Sequence, residues 1–132
     1  MTLFIDTSAL YALMDADDSN HEKAKALWAR SLKGDDQFTT SNYVLVESIA
    51  LIQHSLGMEA TRLFQEELAP VLQIHWVTEQ LHTTAMKTLL AHGSRKLSLV
   101  DSTSFELMRE LGLRSAFAFD GHFAEQGFTT VP

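Results

Sequence analysis

Short apolar runs that end at turn-forming residues limit the folds that this sequence can adopt. Residues 3–5 (LFI) stop at Asp6, and residues 116–119 (AFAF) stop at Asp120. Such runs are typical of strands buried on both faces of a parallel sheet. Segments with helical spacing of apolar residues lie between the strands, which is the pattern of right-handed βαβ units. The sequence therefore predicts an α/β fold whose parallel sheet is covered by helices on both faces.

Capping signals and apolar spacing predict the remaining elements. Capping-box spacing appears at residues 19–22 and 98–101, and Thr78 is placed to cap a further helix. After a first helix that begins behind Asp6, the predicted helices span about residues 20–33, 43–54, 58–68, 78–92 and 98–111. The other predicted strands are residues 37–40, 72–76 and 128–131, the last at an edge of the sheet.

Length and composition limit the classes of protein and site. A chain of 132 residues that is 45% hydrophobic suits one globular domain, residues 1–132. No apolar stretch is long enough for a membrane span and no leader pattern opens the chain, so we expect a cytoplasmic protein. The absence of cysteine excludes disulfides, thiolate zinc sites and cysteine nucleophiles, which leaves oxygen and imidazole as ligands. A net charge of -7 argues against broad electrostatic binding of nucleic acid, although bound cations reverse the local potential of a carboxylate cluster.

Three aspartates at the ends of predicted strands and helices are candidate metal ligands, but each also has an ordinary structural explanation. Asp6 suits a helix cap, Asp101 occupies the acidic position of a capping box, and Asp120 precedes a glycine as in many turns. Asp6 and Asp120 are also predicted at the carboxyl ends of strands, where open α/β sheets form their sites. Each residue alone is weak support for a site.

Glu47 is less ordinary, because residues 43–52 (YVLVESIALI) are apolar on nearly every side and predict a largely buried helix. A buried carboxylate needs a cation, a shifted pKa or a metal. The alternatives are a salt bridge to Lys or Arg and a side chain that reaches a solvated gap. Two carboxylates ~4 Å apart repel by about 4 kcal/mol at an effective dielectric constant of 20, so a converging quartet would require cations. All-oxygen ligation favours Mg²⁺ or Mn²⁺ over zinc.

The ordered acidic segments resemble the PIN-domain family, particularly VapC-type toxins of type II toxin–antitoxin systems. The likeness spans the chain and is carried by residues 3–10, Thr40-Ser41 with Val44 and Glu47, residues 97–102 and residues 118–123. The resemblance implies a three-layer α/β/α sandwich around a central parallel sheet. It also implies catalytic and metal-binding roles for Asp6, Glu47, Asp101 and Asp120, with Ser8 as the hydroxyl beside the first aspartate.

In similar proteins, Mg²⁺ or Mn²⁺ orients a water for in-line attack on an RNA phosphodiester, leaving a 5′-phosphate and a 3′-hydroxyl. The resemblance thus implies a metal-dependent endoribonuclease, with RNA as substrate and a cognate antitoxin protein and a homodimer as partners. We interpret the apolar face formed by Leu10, Tyr11, Leu13 and Met14 as part of the core, although similar toxins use this region for homodimer contacts or antitoxin binding.

Other residues receive structural interpretations. The six histidines form no close pair of ligand spacing, and His122 is assigned to a helix turn although it follows Asp120. Arg95-Lys96 suits a solvated loop better than a phosphate contact. The competing functions are a Mg²⁺-dependent phosphatase or phosphotransfer domain, whose motifs the sequence does not complete, and a non-enzymatic module of the same fold.

Overall fold

The computed structural model describes residues 1–132 and contains one five-stranded parallel sheet flanked by helices. This arrangement confirms the predicted three-layer α/β/α fold. The strands are β1 (Thr2–Ile5), β2 (Gln37–Ser41), β3 (Gln73–His75), β4 (Ser115–Phe117) and β5 (Thr129–Val131). The helices are α1 (Thr7–Met14), α2 (His21–Lys33), α3 (Asn42–Leu56), α4 (Met58–Leu63), α5 (Glu79–His92), α6 (Leu99–Leu111) and α7 (His122–Glu125).

The strand order is β3-β2-β1-β4-β5, so the chain builds outward from β1 in both directions. β1 pairs with β2 through Leu3 opposite Phe38, and with β4 through Phe4 opposite Ala116. The order reverses between β1 and β4, which makes their carboxyl ends the topological switch point of the sheet. Residues directly after these two strands are therefore brought to the same place.

Aromatic side chains from the sheet and from the covering helices fill the core. Phe4 and Phe117 on the sheet are fully buried, as are Phe105 on α6 and Phe123 on α7. The Phe105 and Phe123 rings meet edge-on with centroids 5.0 Å apart, a geometry that aromatic quadrupoles favour. Since α6 and α7 carry the last acidic segments of the chain, this packing positions them against β1.

Several predicted helix ends are confirmed, but the capping box predicted for α2 is not. Thr78 accepts the Leu81 N–H at 3.1 Å, and Gly57 ends α3 with φ of 93°, a conformation that a side chain would strain. The capping box predicted at residues 19–22 is wrong, because α2 begins at His21 with Asn20 rather than Ser19 at the cap position, and Asn20 makes no side-chain cap bond. Its own N–H instead bonds to the Asp18 carboxylate at 2.8 Å within an aspartate-rich loop.

Two other boundaries differ from the expected ones. The helix predicted over 58–68 ends as α4 at Leu63 and continues as one π-helical turn, Phe64–Leu68. β4 ends at Phe117, two residues before the predicted end, because Phe119 donates its N–H to the Ser8 hydroxyl. Asp120 thus lies three residues beyond its strand, in the connection to α7.

The expectation that α3 is largely buried is wrong. Only Val44, Ser48 and Ile52 of this helix are buried, while Val46 is 68% exposed. α3 lies against α1 and α6, which cover one of its faces and leave apolar side chains in solvent on the other. The apolar composition of the helix therefore does not come from burial on all sides.

None of the helices combines the length and the apolar character that crossing a membrane requires.

Candidate active site

Asp6 lies directly after β1, the central strand, at the switch point of the sheet. Its N–H bonds to the Phe117 carbonyl at 3.1 Å and so joins the ends of β1 and β4. Its carboxylate accepts the Ser8 N–H at 3.3 Å and the Ser8 hydroxyl at 2.9 Å, which caps α1. The side chain is only 3% exposed. The cap and the site are therefore two roles of one residue.

Ser8 connects the first acidic residue with the last acidic segment. While its hydroxyl donates to Asp6, the same oxygen accepts the Phe119 N–H at 3.0 Å. This second bond holds the chain just before Asp120. Ser8 therefore sets the separation of Asp6 and Asp120 through hydrogen bonds to both segments.

Asp101 lies in the first turn of α6 as part of the predicted capping box. The Ser98 hydroxyl accepts the Asp101 N–H at 3.0 Å, and Oδ2 of Asp101 accepts the Ser98 N–H at 3.3 Å. The reciprocal pair fixes the carboxylate at the helix N-terminus, where the free N–H groups favour negative charge. The next acid of α6, Glu106, pairs with Arg109 and accepts the Thr88 hydroxyl, so Asp101 is the contribution of α6 to the site.

Asp120 and His122 complete a cluster with Asp101. Oδ1 of Asp120 accepts the His122 N–H at 3.0 Å, which opens the short helix α7. Nδ1 of His122 lies 3.1 Å from Oδ2 of Asp101. Ligand atoms of Asp101, Asp120 and His122 all lie within 4.8 Å of one another, which is the spacing that one metal ion requires.

Asp6 borders this cluster through Asp120. Burial, and next the negative charge and close contact of Asp120, raise the pKa of the Asp6 carboxyl to about 8. The Ser8 hydroxyl lowers this pKa by a smaller amount, and the charge of Asp101 raises it further. The site therefore concentrates more negative charge than its surroundings neutralise.

Glu47 stands apart from the other three carboxylates. It is half-buried on the second turn of α3, outside the cluster of Asp101, Asp120 and His122. It lines a groove together with Leu99 and Val100, the two residues that precede Asp101. No Lys or Arg forms an ion pair with Glu47, so the salt bridge considered for it does not exist. The structure supports the other alternative, a carboxylate that faces a solvated gap beside the site.

A divalent cation fits this arrangement of ligands. None of the ten Lys and Arg residues forms an ion pair with Asp6, Asp101 or Asp120. The available atoms are carboxylate oxygens and one imidazole nitrogen, a set that suits hard divalent ions. Bound cationic charge would offset the burial and the repulsion from Asp120 that together raise the pKa of Asp6.

His122 is the residue of this cluster that its sequence position did not identify. Its place two residues after Asp120 was the only available signal, and that signal supported a helix turn. The turn is present, since His122 begins α7, but its ring also reaches Asp101. Arg95 and Lys96 are exposed in the loop before α6, and their side chains make no hydrogen bond or ion pair.

The sequence matches one family profile and is similar to proteins of known function. The PIN domain profile matches residues 3–128. The 23S rRNA-specific endonuclease VapC20 of Mycobacterium tuberculosis is 38% identical over 130 residues, which cover 98% of this chain and 97% of the relative. The same relative from a second strain of that organism gives the same values.

Solved structures agree with the sequence comparison. The crystal structure of Mycobacterium tuberculosis VapC20, described as a sarcin-ricin loop cleaving toxin, matches with a TM-score of 0.86, 38% identity and 96% coverage of both chains. VapBC2 from Rickettsia felis, bound to a promoter DNA fragment, matches with a TM-score of 0.72 and 11% identity over 98% of this chain and 97% of that one. FitAcB from Neisseria gonorrhoeae matches with a TM-score of 0.69 and 14% identity over 100% of this chain and 97% of that one. At such low identities, the last two structures show the fold alone. By its profile match and its full-length likeness to VapC20, the chain belongs to the PIN-domain family, among the VapC-type members.

Proposed function

We propose that this chain is a metal-dependent endoribonuclease that acts as a single domain, residues 1–132, in the cytoplasm. The observation that carries the proposal is the convergence of Asp6, Asp101 and Asp120 at the switch point without an ion pair to any Lys or Arg. The relative VapC20, similar over nearly the full length, is a 23S rRNA-specific endonuclease. Hydrolysis of RNA phosphodiester bonds is therefore the activity that both the site and the relationship favour.

We assign metal binding and catalysis to Asp6, Asp101 and Asp120, with Glu47 as the fourth acidic residue at the border of the site. Ser8 holds Asp6 and the Asp120 segment at a fixed separation, while the capping box and His122 hold Asp101. These bonds form the site before substrate arrives, which lowers the cost of organising it during the reaction. Glu47 would reach the substrate side of the site from α3.

Mg²⁺ or Mn²⁺ is the cofactor we propose, because carboxylate oxygens dominate the ligands and no cysteine is present. When bound, such an ion lowers the pKa of a water nucleophile and stabilises the charge that develops on the phosphate. The acidic side chains would hold the ion at the carboxyl end of the sheet. His122 orients one of these side chains through its ring nitrogen.

The substrate we propose is the large ribosomal RNA. VapC20 acts specifically on 23S rRNA, and 38% identity over almost the whole chain supports a related target. The net charge of -7 makes long-range attraction of RNA weak, so recognition must depend on local contacts near the site. The expected products carry a 5′-phosphate and a 3′-hydroxyl.

As a VapC-type member, the chain is proposed to act as the toxin of a toxin–antitoxin pair and to form a homodimer. Exposed apolar side chains supply surface for such contacts, for instance Met58 and Leu63 on α4, each more than half exposed. An antitoxin that covers the site would suppress cleavage. Copurification with a neighbouring small gene product, and loss of activity in that complex, would support this assignment.

Cleavage of ribosomal RNA with Mg²⁺ or Mn²⁺ tests the activity. Asp6→Asn and Asp101→Asn remove one charge each and should reduce the cleavage rate by at least about 100-fold, as removal of a group that stabilises transition-state charge does. Asp35→Asn changes an exposed acid in the loop before β2 and serves as the matched control. Sequencing of the new RNA ends identifies the cleaved bond.

Undiminished cleavage by both site variants would overturn the catalytic assignment. Hydrolysis of small phosphate esters without RNA cleavage would instead favour the phosphatase alternative. Absence of both activities in a folded, metal-loaded protein would favour a non-enzymatic interaction module.

A further inference from the structure

A groove of about 360 Å³ opens beside the acidic site, between α3, α5 and the start of α6. Its apolar walls are Val46 on α3 and Leu99 and Val100 on α6. Tyr43 and His82 line it as well, and we name it the Tyr43 groove. Its volume is within the about 300–1,000 Å³ that small-molecule sites occupy.

The Tyr43 groove is continuous with the proposed active site. Glu47 belongs to both, since it is the fourth acid of the site and also lines the groove. Leu99 and Val100 lead directly into Asp101 along α6. A substrate chain that crosses the acidic cluster therefore places its neighbouring group over this groove.

Two rings in the groove are held rigidly. The Tyr43 hydroxyl oxygen lies 2.5 Å from Nδ1 of His82, and the two rings meet edge-on with centroids 5.8 Å apart. Asn42, also in the lining, accepts the Val77 N–H at 2.7 Å through Oδ1, so its amide nitrogen retains free donors. A nucleobase can stack on the rings and the apolar walls of this groove. Its edge can accept a hydrogen bond from the Asn42 amide.

Charge also favours nucleic acid as the occupant. The groove itself contains no Lys or Arg, but Arg95 and Lys96 are exposed in the loop that leads into its α6 wall. The apolar walls and the rings suit a base, whereas the flanking phosphates need nearby cations. This separation of apolar and basic groups matches one nucleotide of an RNA chain.

We propose that the Tyr43 groove binds the nucleobase next to the scissile phosphodiester. The proposal rests on the proposed ribonuclease function and adds a substrate subsite to it. The competing occupants are the side chains of a second copy of this chain and a segment of an antitoxin. Both are outcomes of the experiment below.

The experiment uses a short labelled segment of the large ribosomal RNA, the proposed substrate, together with versions that each lack one base. Cleavage of the intact RNA identifies the scissile bond, and the versions that lack a base on either side of that bond are then compared. Binding is measured with Ca²⁺ as the divalent ion, and cleavage is measured separately with Mg²⁺. Loss of the seated base should weaken binding by at least about fivefold, the lower limit for one base stacked on a side chain. Loss of the base on the other side should have little effect.

Val46→Gln removes an exposed apolar wall without adding charge and should abolish the difference between intact and base-free RNA. Leu32→Gln is the matched control, because it changes an exposed apolar residue on α2, a helix that does not line the groove. Tyr43→Phe keeps the ring and loses the hydrogen bond to His82, so it should weaken the preference without abolishing it. Light scattering of each variant reports the oligomeric state.

Equal binding by the native protein of the intact RNA and of the versions that lack one base would overturn the proposal that the groove binds a base, even if cleavage proceeds. A Val46→Gln protein that becomes monomeric yet keeps the base preference would assign the groove to a subunit interface. Loss of antitoxin binding with unchanged base preference would assign it to that partner. Failure of cleavage in Mg²⁺, with the base preference intact, would count against the proposed function alone.

Discussion

Nδ1 of His122 lies 3.1 Å from Oδ2 of Asp101, an oxygen that also accepts the Ser98 N–H at 3.3 Å. Two donors on one carboxylate oxygen fix the plane of the group and leave Oδ1 of Asp101 for another partner. Donors of this kind that orient a metal-binding carboxylate are an established means of tuning a metal site.

The first prediction concerns this contact. His122→Ala should weaken Mn²⁺ binding by about 10–100-fold, the range observed when a residue that orients a metal ligand is lost. His122→Asn places an amide nitrogen near the position of Nδ1 and should retain most of the affinity. Calorimetric titration of each variant with Mn²⁺ measures the difference. Equal losses in both variants would show that the ring binds the ion itself or acts in another way.

The second prediction concerns the stability of the metal-free protein. Since the folded-state pKa of Asp6 is about 8, above the ~3.9 of an unfolded aspartate, the folded chain keeps a proton that the unfolded chain loses. The contribution of Asp6 is therefore fully present below about pH 4 and is lost as the pH rises through about 8. Urea unfolding in EDTA should show a falling free energy of unfolding across this range.

Asp6→Asn removes this titration, so its stability relative to the native chain should increase steadily from pH 5 to pH 8.5. Asp35→Asn is exposed and should follow the native curve. Parallel curves for the native protein and Asp6→Asn would contradict the burial and charge interaction assigned to Asp6.

The sequence predicts the positions of Asp6 and Asp101 well, because both depend on local signals. A short apolar run followed by a turn locates the end of β1, and capping-box spacing locates the start of α6. The ends of parallel strands meet at one edge, so convergence follows once the fold class is known. These are the parts of the site that chain order and local chemistry determine.

His122 and Glu47 depend on contacts between distant segments. The ring of His122 meets an aspartate 21 residues earlier, and no spacing rule predicts that pair. Glu47 was expected in a buried helix because apolar residues surround it in sequence. Two of these apolar residues, Val46 and Leu51, instead face solvent, while Val44 and Ile52 are buried. Periodicity indicates that a face is apolar and cannot identify what covers it.

The third prediction concerns Ser8. Ser8→Ala removes the donor to Asp6 and the acceptor of the Phe119 N–H, which leaves that N–H without its partner. The expected loss is about 1–3 kcal/mol in the free energy of unfolding, with a lower cleavage rate because Asp6 and Asp120 lose their common support. Ser19→Ala, at an exposed serine, is the matched control. A native cleavage rate in Ser8→Ala would show that β1 and β4 alone hold the two aspartates.

The last prediction links metal binding to the proton on Asp6. A carboxyl group with a pKa of about 8 is largely protonated at pH 7, and it must lose that proton to become a ligand. The apparent affinity for Mn²⁺ should therefore rise as the pH increases from about 6 to about 8 and level off above it. Titration calorimetry at pH 7 in two buffers of different ionisation enthalpy should show close to one proton released per ion bound. Asp6→Asn should release fewer protons and bind more weakly at every pH. An affinity that is constant between pH 6 and pH 8.5 would exclude Asp6 as the group that couples metal binding to pH.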